Sequence, residues 1–275
     1  LFIGTFLRGI MVYDMNTKSV IRPDYNLKDI SITRFKPLND KELLIATDGG
    51  GVHKINMDTY QIVPEIVANY PIGITIQNNR YTSYKWIKHS IGNKQSLIND
   101  QVNAIIEDRE GDLWFATNNG ISFFNSKTGQ WRSVLSAFEE SQGNKSHIFL
   151  TICEVAPGII WAGGYSSGAY QIDKKTFSVS YFMPPLYTHT DKRPDKYIRD
   201  IRTDMQGYIW SGGFYNLKRI NLKTQEVRFY DGLNSITAIV EKDEKSMWIG
   251  SATGLCLLDK ESGKFERINL PVESS

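Results

Sequence analysis

The chain has 275 residues, and its 32 basic and 30 acidic side chains leave a formal net charge of only +2. Charges of both signs are spread along its length, so it has no electrostatic footprint for nucleic acid, and no run approaches the roughly 18 apolar residues that span a bilayer. An aromatic content of 12% together with 22 glycines points to many short strands joined by tight turns.

In chain order, the opening residues LFIGTFLRGI read as strand and turn and show no basic-then-apolar leader, so any export signal is expected outside this sequence. A repeat then dominates the reading. Copies begin at Leu1, Leu43, Glu65, Leu113, Ile160, Ile209 and Met247, which gives seven units. The four clearest carry Trp114, Trp161, Trp210 or Trp248, then a small residue two places on, a short tip, and an apolar strand. Phe2, Leu44 and Ile66 stand in for tryptophan in the weaker copies. The spacing between Leu44 and Ile66 is about half of the others, so roughly 20 residues are expected to be missing near 61–66.

The unit around Trp114 shows four strands most plainly. Strand A is expected from Val102, a turn at Arg109 to Gly111, strand B from Asp112, strand C from Ile121 and strand D from Gln130. Alternating apolar and polar residues in A, and aromatic or β-branched residues in B and C, are the period-2 signature of half-buried antiparallel strands. Four antiparallel strands repeated about seven times predict an all-β fold, a β-propeller, because radial stacking covers both faces of each small twisted sheet. The strand-B tryptophans are expected between adjacent blades. Gly9, Gly51, Gly73, Gly120, Gly168 and Gly254, with Asn216 in the same place, are expected to open strand C at positive φ. The sequence starts on a B strand and ends after a D strand, so residues 1–275 read as one propeller excerpted from a longer protein, its first blade lacking strand A.

In this topology the B–C tips and D–A connections share one face, and binding is expected there. The tips carry Phe6, Arg8, Asp48, Tyr70, Asn118, Asn119, Tyr165, Phe214 and Tyr215, and the long D–A connections add Lys145, His147, Arg193 and Lys196. Aromatic rings there suit stacking on sugar faces, Asn, Asp and Arg suit hydroxyl groups, and the basic residues suit an acidic sugar. The same residues equally suit packing beneath the loops or contact with another protein domain.

Catalytic readings find little support. His53, His89, His147 and His189 lack the spacing of a zinc site, and no cofactor is expected. Asp108 to Gly111 and Asp204 to Gly207 read as A–B hairpin turns, without the ligand density of a calcium loop. Adjacent carboxylates such as Glu107 and Asp108 point to opposite faces of a strand, unlike a glycosidase pair. Cys153 and Cys256 read as buried free thiols.

The block NDQVNAIIEDREGDLWFATNNGISFFNSKTGQW, from Asn99 to Trp131, resembles the two-component regulator propeller repeat of periplasmic sensors in gut Bacteroidetes. YIRDIRTDMQGYIWSGG from Tyr197 and SITAIVEKDEKSMWIGSATGL from Ser235 carry the same resemblance. It implies a periplasmic, non-enzymatic sensor of a membrane-anchored hybrid histidine kinase, responding to oligosaccharides from glycan breakdown. It further implies a second propeller and an immunoglobulin-like domain in the same protein, and a homodimer. The alternatives are an interaction or dimerisation scaffold and, behind it, a propeller lyase or hydrolase.

Overall fold

The structure, a computed structural model, describes residues 2–4, 10–14, 16–17, 19–21, 31–60, 76–77, 80–81, 87–136, 147–166, 168–182 and 196–268. Arg8, Tyr70, Arg193, Phe6, Lys145, Gly9, Gly73 and the gap expected near 61–66 lie outside these residues. The fold is all-β, and the chain divides into two compact units, 1–140 and 141–275.

In the first unit, β1 (Phe2–Gly4), β2 (Ile10–Tyr13) and β3 (Val20–Ile21) form one antiparallel sheet. A second contains β4 (Ile32–Pro37), β5 (Glu42–Thr47) and β6 (Gly51–Asn56). A short hairpin follows, β7 (Ile76–Gln77) with β8 (Arg80–Tyr81). The unit ends in a complete four-stranded blade of β9 (Val102–Glu107), β10 (Leu113–Thr117), β11 (Gly120–Phe124) and β12 (Trp131–Val134). The strands expected from Val102, Asp112, Ile121 and Gln130 thus fall within a residue of those observed.

The second unit holds three more four-stranded blades. They are β13 (Phe149–Ala156) to β16 (Val179–Phe182), through β14 (Ile159–Gly164) and β15 (Ala169–Asp173); β17 (Ile198–Thr203), β18 (Ile209–Gly213), β19 (Leu217–Ile220) and β20 (Val227–Tyr230); and β21 (Ile236–Glu241), β22 (Ser246–Ser251), β23 (Gly254–Asp259) and β24 (Phe265–Ile268).

Seven units were expected, and the copy read from Glu65 forms no blade of its own among the described residues. Ile87 exchanges backbone hydrogen bonds with Val52 at 3.0 and 3.1 Å, so it supplies the fourth strand position beside β6. Thr33 Oγ1 on β4 donates to the carbonyl of Val102 on β9 at 2.5 Å, which puts the next blade directly alongside. The sheet of β4, β5 and β6 with Ile87 at its edge thus adjoins the β9–β12 blade.

Two devices set the tip geometry. Strand A carries a one-residue bulge opposite the end of strand B, the register passing over Thr33, Asn103, Leu150, Arg199 and Thr237 in the five A–B ladders. A bulge bends the strand and re-aims its side chains, here beside the B–C tips. At Gly163 and Gly212, the small residues two places after Trp161 and Trp210, the next blade's strand A closes in. A Cβ on Gly163 would lie 2.5 Å from Ile198 Cγ2, and one on Gly212 would lie 2.4 Å from Ile236 Cγ2.

Trp114, Trp161 and Trp210 are fully buried as expected, with Trp161 packing against Ile198 and Ile201 and Trp210 against Ile236 and Ile239 of the following blades. The Asp-x-x-Gly turns lock two of these rings. Asp108 Oδ1 accepts from the amides of Glu110 and Asp112 while its Oδ2 accepts from Trp114 Nε1 at 2.8 Å, and Asp204 does the same for Gln206, Tyr208 and Trp210. Trp161 and Trp248 have Val155 and Lys242 at the corresponding position six residues earlier. Trp161 Nε1 turns to Gln171 Oε1 at 3.2 Å, and Trp248 is only half-buried, with Lys242 Nζ 5.5 Å from its ring centre.

Gly120 has the expected positive φ of 111°, and a side chain there would meet the Leu135 carbonyl at 2.9 Å. Asn216 was expected to share this conformation and does not. The residues pairing across its turn are Gly212 and Leu217, whereas Thr117 pairs with Gly120, so the longer Gly213 to Asn216 tip reverses the chain without a left-handed residue. Cys256 is buried and Cys153 half-buried, and both are free thiols.

Candidate functional site

The tips of the second unit carry an exposed aromatic row. Tyr165, at the β14–β15 tip, is 52% exposed; Phe214 and Tyr215, at the β18–β19 tip, are 54% and 47% exposed. Tyr197, at the entry to β17, joins them: its ring centre lies 5.2 Å from Tyr165 and 6.1 Å from Phe214, which lies 5.2 Å from Tyr215. All three pairs meet edge-on, at interplanar angles of 77°, 89° and 71°. Edge-to-face contacts satisfy the ring quadrupoles and hold the rings in place, so four half-exposed aromatics stand in a fixed row.

Backbone hydrogen bonds tie these tips to the incoming strands. The Tyr165 amide donates to the Ile148 carbonyl at 2.9 Å, Gly168 to Lys196 at 2.8 Å, and Ser235 to Phe214 at 2.8 Å. Lys196 is exposed beside Tyr197. Arg199, also exposed, is the bulged residue opposite Gly212 and Gly213, next to the Phe214 tip. Asn216 follows Tyr215 but is buried, at 3% exposure, and neither its Oδ1 nor its Nδ2 has a hydrogen-bond partner among the described residues. Leaving such groups unpaired costs about 1–3 kcal/mol each.

The structure thus brings Tyr165, Phe214, Tyr215 and Lys196 of the expected set to one neighbourhood. Asp48, Asn118 and Asn119 lie in the first unit. Asp48 Oδ1 accepts from Gln101 Nε2 at 3.2 Å, and Asn118 Oδ1 accepts from Asn103 Nδ2 at 2.7 Å, so both are engaged in tip geometry. Asn119 lines a recess of about 610 Å³ with His89, Lys94, Trp131 and Arg132. Sequence reasoning missed Tyr197 and Arg199. Both occupy the start of strand A, which the repeat comparison treats as packing, and the bulge that turns Arg199 outward leaves no mark in the pattern.

Among the described residues no group of three or more His, Cys, Asp or Glu side chains is arranged to hold a metal. Burial pushes the Cys153 thiol up to about 11, against the smaller opposing effect of Arg202, so it is a poor nucleophile.

With the repeating blades and their tips defined, comparison with known proteins locates the chain. Residues 96–119 match the family model described as Two component regulator propeller. Over that stretch the chain is similar to the two-component regulator propeller repeat. No curated protein matches the sequence. Among solved structures, the extracellular domain of BT3049 from B. thetaiotaomicron, named as a hybrid two component system, superposes with a TM-score of 0.69 at 20% identity over 99% of this chain and 34% of that one. The extracellular domain of BT4673 from the same organism, named as a one component system, gives 0.63 at 18% identity over 97% of this chain and 34% of that one. PorZ, a surface component of the type-IX secretion system of Porphyromonas gingivalis, gives 0.61 at 15% identity over 92% of this chain and 36% of that one. These likenesses establish the β-propeller fold. The chain spans about a third of the length of each of these structures.

Proposed function

We propose that this chain is a periplasmic sensing propeller of a membrane-anchored two-component regulator, and that it takes an oligosaccharide on the tip face of its second unit. The observation that carries the reading is the row Tyr165, Tyr197, Phe214 and Tyr215, held edge to edge and open to solvent. Apolar ring faces in water are unfavourable unless a partner covers them, and the C–H faces of sugar rings are suitable partners. Lys196 and Arg199 stand beside the row as donors for hydroxyl or acidic groups, and the Asn216 amide offers one donor and one acceptor to hydroxyls. The matched repeat and the extracellular domains of similar fold support the sensor role.

In this reading residues 1–275 act as one propeller alongside a second propeller, an immunoglobulin-like domain and a dimer partner, and the chain catalyses no reaction. Calorimetric titration of the intact protein with neutral and acidic oligosaccharides tests it. Saturable binding that disappears in Tyr165→Ala/Phe214→Ala/Tyr215→Ala is expected. Binding unchanged in that variant removes the site from this face and leaves the row as a surface for a neighbouring protein domain.

A further inference from the structure

Away from the tips, at the hairpin end of the β17–β20 blade, Arg219 on β19 and Arg228 on β20 are direct cross-strand partners. Like charges directly opposite each other destabilise a sheet pair, and among the described residues neither guanidinium is in an ion pair. The pair is instead held in place by other contacts. Arg219 lies 4.5 Å from the centre of the Tyr208 ring and 5.9 Å from that of Trp210, and Arg228 lies 5.1 Å from that of Tyr230. Arg219 Nη1 and Arg228 Nη1 each donate to the Lys260 carbonyl at 3.4 Å, and Arg228 Nη2 donates to the Glu261 carbonyl at 2.5 Å.

These arginines line a recess of about 420 Å³ with Tyr208, Asn221, Glu226 and Val227. Its free hydrogen-bonding capacity is mostly donor. Asn221 Oδ1 is already used by the amides of Lys223 and Thr224, while no partner engages its Nδ2 or the Tyr208 hydroxyl among the described residues. Glu226 Oε2 accepts from Thr224 Oγ1 at 3.0 Å and forms no ion pair with either arginine.

We propose that this recess is a binding site for a carboxylate, gripped between the guanidinium groups of Arg219 and Arg228 and hydrogen-bonded by Tyr208 and Asn221. Two arginines and one glutamate give the lining a net single positive charge, which a monoanion neutralises. A phosphate monoester, close to doubly charged at neutral pH, overcompensates it and faces Glu226. The planar guanidinium fork matches carboxylate geometry, and its stacking on tyrosines lowers the ordering cost of binding. Nothing in this site involves the aromatic row.

The test is an NMR titration of the intact protein, following the arginine side-chain N–H signals assigned through the Arg219→Gln and Arg228→Gln variants. Benzoate and gluconate serve as free acids, N-acetylglutamate α-amide as a peptide-like acid, and benzamide and inorganic phosphate as controls. Saturable shifts with a carboxylate in the millimolar range, weakened about tenfold in either Gln variant, are expected. Preference for the glutamate derivative over the free acids assigns the site to a polypeptide carboxylate, and the reverse to a small acid. Glu226→Gln removes a repulsive charge from an exposed position and is expected to tighten carboxylate binding severalfold, which a merely structural pair of arginines does not predict. The proposal is overturned if no carboxylate shifts these signals, if benzamide or phosphate binds as well, or if Glu226→Gln leaves affinity unchanged or lowers it. Should both Gln variants fail to fold, wild type against Glu226→Gln still decides.

Discussion

Gly212→Ala is the substitution whose cost the blade packing predicts most closely. The new Cβ would stand 2.4 Å from Ile236 Cγ2, 2.7 Å from Ile236 Cβ and 3.2 Å from Ile239 Cδ1. Ordinary carbon contacts lie at about 3.5–4.0 Å, so roughly 1 Å must open between β18 and β21. Ile236 cannot simply rotate away, because one of the clashing atoms is its own Cβ, fixed to the backbone. Overpacking of this kind costs about 1–3 kcal/mol, partly offset by the lower unfolded-state entropy of alanine, about 0.4–1 kcal/mol. A net loss of about 1–1.5 kcal/mol follows. Ile236→Ala alone is expected to cost about 2–5 kcal/mol by emptying a buried site, but it also removes Cγ2 from the clash. The double variant should therefore be less destabilised than the sum of the two by at least about 1 kcal/mol. Guanidinium unfolding followed by tryptophan fluorescence measures all three. Gly212→Ala within about 0.5 kcal/mol of wild type, or strict additivity with Ile236→Ala, refutes the claim that close approach of the next blade demands the glycine.

Other expectations follow from the buried polar groups. Lys260 is 2% exposed, with Nζ 2.5 Å from Glu241 Oε1 and 3.6 Å from Asp204 Oδ2, so Lys260→Met strands carboxylates and should cost about 3–5 kcal/mol in the same unfolding assay. Glu42 is held below its ordinary value of 4.5 by the hydrogen bond from Lys54 and then that from Asn39. Because the folded value is depressed, its contribution is present above 4.5 and lost as pH falls towards the folded value, so Lys54→Met should narrow the stability difference between pH 6 and pH 3. The Cys153 thiol, raised to about 11 by burial, should be alkylated by iodoacetamide at pH 8 about two hundredfold more slowly than an ordinary cysteine, as read by mass spectrometry.

Much of this architecture was legible because the repeat encodes it at fixed offsets. Trp161 and Trp210 with Gly163 and Gly212 mark both the packed ring and the close approach of the following strand. What failed were features that one copy alone decides. The pairing of Ile87 with Val52 joins residues that no repeat offset relates. Asn216 occupies a glycine position, yet the length of its tip removes the need for positive φ. The aromatic tips were visible as Tyr165, Phe214 and Tyr215, but the row needed Tyr197, and its role depends on a tertiary neighbour. Arg219 facing Arg228 was equally hidden, since cross-strand register is not written in either strand by itself.

The measurement that bears most directly on the proposed sensing face is a structure of the intact protein bound to the tightest oligosaccharide from the titration panel. The account predicts sugar ring carbons within about 4.5 Å of the Tyr165, Tyr197, Phe214 or Tyr215 rings, with Lys196, Arg199 or Asn216 bonded to its polar groups. A sugar seated elsewhere, with these rings uncovered or packed against a neighbouring domain, contradicts it.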